Sequence, residues 1–133
     1  MENAEVVYAI DKYNLDEECV RQIEFIEEAA HKAVMARITV EGAKARLEQA
    51  KAAADIEIRN NPSQFNLAKV TEGTVAAAVV THPNVVIATN EHLTARQDML
   101  QWEAACSMLE HRKKSLDNLI YLHGQAYYSK PGN

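Results

Sequence analysis

Aromatic residues are scarce in this 133-residue chain, at 6%. A thick globular core draws much of its burial from Phe, Tyr and Trp. The buried surface here must therefore come from Ala, Val, Ile and Leu, which suit closely approaching helices. Helix breakers are equally few, with four glycines and three prolines, and this leaves room for long uninterrupted elements. No apolar run approaches the roughly 20 residues that span a bilayer; the longest candidate covers only residues 75–80. The opening Met1-Glu2-Asn3-Ala4-Glu5 lacks the basic start and apolar stretch of a secretory signal. A cytoplasmic location with no membrane association is the expectation. Cys19 and Cys106 show no metal-ligand spacing, so reduced, buried thiols are expected.

Catalytic patterns are lacking as well. There is no Gly-rich phosphate loop, no His-x-x-x-His, no Cys-x-x-Cys and no serine nucleophile elbow. The five histidines (His31, His82, His92, His111, His123) are scattered. The chain reads as a non-enzyme that needs neither metal nor cofactor and works by binding and assembly.

What the sequence does contain is helical periodicity. Asn14, an N-cap residue, precedes Asp16, Glu17 and Glu18. A 3–4 spacing then runs Leu15, Cys19, Ile23, Ile26, Ala30, Ala33, Arg37, Val40, Lys44, Leu47, Lys51, Ala54, Ile58, the alternation of a coiled-coil seam. Asn60-Asn61-Pro62 stops it. The predicted helix is about 45 residues long, or about 65–70 Å. Its weak point is Ile38-Thr39-Val40-Glu41-Gly42, where β-branched residues and a glycine favour a kink or break. A short helix capped by Thr71 follows and ends at His82-Pro83. The second long helix spans Asn84 to His123 with Gly124 as its stop. Its inward positions are Val85, Ala88, His92, Ala95, Met99, Trp102, Cys106, Leu109, Leu116, Leu119 and Leu122. The predicted fold is all-α: two long amphipathic helices in an antiparallel hairpin with a short connecting helix. Segments 1–13 and 125–133 flank the hairpin domain at 14–124. A hairpin this thin buries limited area, so assembly into a homo-oligomer is expected.

The net charge of −5 hides segregation. Residues 1–28 carry nine acids against Lys12 and Arg21, whereas residues 29–51 carry Lys32, Arg37, Lys44, Arg46 and Lys51 against Glu41 and Glu48. Arg37, Lys44 and Lys51 recur every seven residues, which aligns them over about 21 Å of helix. Such a track could neutralise several phosphates of a nucleic acid; the plainer reading is a seam that turns to solvent. The joint from Arg59 to Phe65 offers a cation and an aromatic that could clamp a single strand by charge and stacking, or simply a helix stop with Phe65 folded back. Arg112, Lys113 and Lys114 form a second basic group, again either a solvated face or a phosphate contact. Tyr127 and Tyr128 suit an oligomer interface or base stacking.

From Arg59 onward the chain resembles the UvsY-type recombination mediators of bacteriophages. The resemblance is carried by Arg59-Asn60-Asn61-Pro62 and Lys69-Val70-Thr71-Glu72. It continues through the stretch from Ala104 to Leu119, with Glu110-His111-Arg112-Lys113-Lys114 inside it, and through His123-Gly124-Gln125-Ala126-Tyr127-Tyr128-Ser129-Lys130-Pro131. It implies helical hairpin subunits assembled into rings. Such rings would bind single-stranded DNA with little sequence preference and help a RecA-like recombinase displace the single-strand-binding protein, in the host cytoplasm. In the best-known member a Lys-x-Arg pair near the end of the first long helix contacts DNA, and Lys44-Ala45-Arg46 reproduces that pattern. Counting back from Arg59 to Pro62 places the pair instead at Ala53 and Asp55, so Lys51 and Arg59 stand as equal candidates. The DNA-binding set expected from the sequence is Arg37, Lys44, Arg46, Lys51, Arg59, Arg112, Lys113 and Lys114. The alternative is a helical adaptor, such as a phage assembly component, that binds only proteins.

Overall fold

The computed structural model of the chain describes residues 8–125. Residues 1–7 and the Tyr127-Tyr128 tail, with the interface role expected of it, lie outside the described residues. All regular structure among the described residues is helical: α1 (Leu15–Asn60), a short 3-10 helix (Pro62–Phe65), α2 (Glu72–Thr81) and α3 (Pro83–Gly124). The two long helices pack together. Their residues divide between two compact units, one holding the described residues up to Met35 with those from Leu100, the other Ala36–Met99.

A turn leads into α1. Asp11 accepts the Tyr13 amide N–H at 3.0 Å and the Asn14 side-chain amide at 2.6 Å, and these two donors, the backbone one first, hold its carboxyl below the usual carboxylate value. The Asn14 carbonyl takes the first helical bond, from the Glu18 N–H. From there α1 runs unbroken to Asn60. The break expected near Gly42 does not occur. Val40 points into the core at 8% exposure, and that burial offsets the weak helix propensity of its neighbourhood.

The seam of α1 keeps part of its expected positions, with Leu15, Cys19, Ile26 and Ala33 half-buried, and shifts the alternate ones by one residue. Val40, Leu47, Ala54 and Ile58 are buried as anticipated, but their seam partners are Gln22, Ala29, Ala36 and Ala43, with Ala50 half-buried. Ile23, Ala30, Arg37, Lys44 and Lys51, each one residue further on, are exposed. One residue is about 100° of helix rotation. The step back by one at these alternate positions turns a small alanine inward and leaves the neighbouring cation in solvent, free of the cost of burial. On α3 every position expected to face inward is buried or half-buried.

In the second unit Leu47, Ala54, Ile58, Val75, Val85 and Ala88 form one cluster, with Phe65, Leu67 and Val79 packed against it. Val40, Ala43 and Ala95 form another, with Met99. The pairings Arg46 with Glu91 and Glu57 with His82 give α1 and α3 antiparallel directions there. Thr71 caps α2 as expected: its side chain accepts the Thr74 N–H at 3.2 Å, and Thr74 Oγ1 accepts the Thr71 N–H at 2.9 Å. His82 breaks the helical path with ψ 132° and Pro83 opens α3. The ring of His82 accepts the Asn84 N–H through Nδ1 at 3.2 Å, so Nε2 carries the proton and donates to Glu57 at 2.9 Å. In the first unit Trp102, Ala105, Leu109 and Leu116 of α3 are buried, as is Ala29 of α1. The Gln22 side chain reaches the Leu109 carbonyl.

Candidate functional site

Seven of the eight basic residues expected to meet DNA are exposed: Arg37, Lys44, Arg46, Lys51 and Arg59 in the second unit, and Lys113 and Lys114 in the first. Arg112 is not among them. It is 3% exposed, on the buried face of α3 between Leu109 and Leu116. Its guanidinium is bound to Glu18. Burial in an ion pair removes Arg112 from any surface on which a strand could lie, which corrects the expectation drawn from its two lysine neighbours.

Arg37, Lys44 and Lys51 owe their exposure to the phase of the seam. Each follows an inward alanine (Ala36, Ala43, Ala50) and so lies along the flank of the helix pairing, at seven-residue intervals. Acids occupy the intervening turns. Read along this flank, the sequence is Arg37, Glu41, Lys44, Glu48, Lys51, Asp55, Arg59, alternating in sign at spacings of three or four residues. Such neighbours face one another on a helix. Lys51 lies 3.5 Å from Glu48, with both side chains about half exposed at 47% and 63%. Arg46 lies 3.8 Å from Glu91, also across solvent. Lys44, Lys113 and Lys114 have no partner among the described residues.

Exposed pairs of this kind contribute about 0–1 kcal/mol, so a phosphate can displace Glu48 from Lys51 or Glu91 from Arg46 at little cost. Arg59 differs. It donates to Asp55 at 2.7 Å and to both oxygens of Glu72 at 3.1 and 3.0 Å, and these carboxylates, Asp55 first, raise its already high pKa. It ties the end of α1 to the start of α2. Phe65, the other half of the clamp considered for this joint, is folded back: it packs against the core and stacks on the His82 ring at 5.8 Å.

Compared with family models, curated proteins and solved structures, the chain matches none. The geometry must therefore carry the functional reading. Among the described residues no group of three or more His, Cys, Asp or Glu side chains could hold a metal ion. No helix there is long and apolar enough to cross a membrane. Cys19 and Cys106 are free thiols, each half-buried. Burial, with Glu110 and Glu103 adding to it, pushes the Cys106 thiol up, away from the reactive thiolate.

Sequence reasoning missed the polar contacts of Glu18 and Gln22 with Arg112. The signal was present. Stepping back by sevens along Ala50, Ala43, Ala36 and Ala29 lands on Gln22, which marks a polar residue in a seam position.

Proposed function

We propose that this chain is a non-catalytic mediator of homologous recombination. In this reading it binds single-stranded DNA along the exposed flank of α1 and helps a RecA-like recombinase replace the single-strand-binding protein there. Copies of the chain associate into a homo-oligomer, bringing several flanks to one strand. The observation that carries the reading is the row of Arg37, Lys44 and Lys51, exposed at seven-residue intervals beside the seam of a continuous helix. Arg46, two residues on in the Lys44-Ala45-Arg46 pattern, emerges about 200° around α1 from Lys44, and Lys113 and Lys114 supply further cations. The resemblance of the stretch from Arg59 to the UvsY-type mediators supports the same reading.

The test is a titration of a fluorescently labelled oligonucleotide at several salt concentrations. Affinity should fall with salt at a log–log slope of about 0.7 for each phosphate neutralised. Protein that shows no salt-sensitive binding contradicts the proposal.

A second reading, a helical adaptor that binds only proteins, is favoured by the acids interleaved with the cations and by exposed apolar side chains in the second unit. Ile38, Ile56, Ile87 and Val80 are each more than half exposed there. Reversing the charge of Lys44, Arg46 and Lys51 separates the two readings. Under the first it abolishes DNA binding and leaves the oligomer intact. Under the second there is no DNA binding to lose.

A further inference from the structure

Three of the four buried polar or charged residues among those described, Glu18, Gln22 and Arg112, belong to one layer of the first unit. Arg112 Nη1 donates to Gln22 Oε1 at 2.8 Å, and Nη2 donates to Glu18 Oε2. The same Nη2 lies 3.4 Å from the Ala9 carbonyl of the segment preceding α1. The Gln22 amide donates in turn to the Leu109 carbonyl at 2.8 Å, which fixes which way its oxygen points. Arg21 reaches the other oxygen of Glu18 from the surface at 3.3 Å. The Phe25 ring covers the guanidinium, 5.4 Å from Cζ. Arg112 Nε is buried with no acceptor.

This layer is poorly suited to stabilising the fold. Both ions of the Glu18–Arg112 pair are withdrawn from water, at 3% and 1% side-chain exposure. The desolvation cost of such a pair matches or exceeds its Coulombic gain, and apolar residues of similar volume often do as well or better. The layer also leaves one donor unsatisfied. What it supplies is a position. Elsewhere the seam of α1 is built largely of alanines and aliphatic residues repeating every seven, a pattern that by itself marks register weakly. A displaced α3 would set Arg112 against apolar neighbours and leave Glu18 buried with only its surface partner Arg21, a strongly disfavoured state.

We propose that Glu18, Gln22 and Arg112 form a register key. The layer selects one antiparallel alignment of α1 and α3 in this unit and excludes slipped pairings and exchange of helices between copies.

The test reads alignment separately from stability. Spin labels on cysteines introduced at the exposed positions Glu24 and Ser107, with Cys19 and Cys106 replaced by alanine, report the intramolecular distance once the labelled chain is diluted into unlabelled protein. The parent should give a single narrow distance distribution. Arg112→Leu alone should lower the melting temperature by about 10–20 °C, because Glu18 loses its buried partner. The triple variant Glu18→Leu/Gln22→Leu/Arg112→Leu should melt no lower than the parent yet give a broadened or multiple distance distribution. If it does not fold, Glu18→Leu/Arg112→Leu, which keeps Gln22 on the Leu109 carbonyl, reads the same quantity. A single narrow distribution in either variant, whatever its melting temperature, overturns the register key.

Discussion

Ile58 and Leu109 are fully enclosed side chains, one in each unit, and each sits where a seam expectation placed it. Truncating either to alanine removes buried methylenes and leaves a cavity, so Ile58→Ala or Leu109→Ala should cost about 2–5 kcal/mol in denaturant unfolding. A loss below about 1 kcal/mol would show that the site collapses freely. Cys106 makes a second test at this scale. Because burial first, and the nearby acids after it, hold its thiol protonated, its alkylation at pH 8 should be slower than that of an unstructured cysteine, and Glu110→Gln should speed it. The sign follows from linkage. A thiol whose pKa is raised on folding contributes stability present below the unfolded value and lost as pH rises through the folded one. Mass-spectrometric rates for Cys106 that match a free cysteine would contradict this. Arg112 shows why residue identity alone misleads. In the run Glu110-His111-Arg112-Lys113-Lys114 the sequence presents three cations as equals, and only the spacing to Leu109 and Leu116 marks the first as inward.

At the scale of elements, the helices and their ends were legible. Thr71, His82-Pro83 and Gly124 are local signals with local causes, and the structure places α2 and α3 where they indicate. Only part of the α1 seam was legible, because at its alternate positions the inward residues are Gln22 and alanines. In Ala36-Arg37, Ala43-Lys44 and Ala50-Lys51 a small weakly apolar side chain stands beside a long one, and periodicity weights both poorly. Arg37, Lys44 and Lys51 flank the seam instead of interrupting it. Gly42 offers a direct check on the continuity of α1. An added Cβ would meet only the Arg46 Nη1 atom, at 3.4 Å, the far end of a flexible side chain. Gly42→Ala should therefore stabilise the protein by about 0.4–1 kcal/mol in chemical denaturation; a loss would show that the helix bends there in solution. Thr71→Ala removes one half of a reciprocal cap and should cost about 1 kcal/mol. Its effect should be concentrated in the amide exchange of α2, which at 10 residues is too short to hold itself together without packing.

For the molecule as a whole, charge decides what it can bind. The formal charge of −5 opposes a polyanion, and at ionic strengths near 0.15 M the opposition is felt only within about 8 Å. Within that range the flank of α1 presents Arg37, Lys44 and Lys51 with acids between them. The weak exposed pairs Lys51–Glu48 and Arg46–Glu91 must yield to phosphate for the flank to bind. Binding of this kind should be modest per subunit, should depend on several subunits meeting one strand, and should be steeply salt-sensitive. The measurement that tests this most directly is fluorescence anisotropy of a labelled single-stranded oligonucleotide across a salt series, with the unaltered protein and with Arg37→Ala/Lys44→Ala/Lys51→Ala. Loss of three phosphate contacts should weaken binding and lower the log–log salt slope by about 2. Equal affinity and slope for the two proteins would contradict DNA binding along α1.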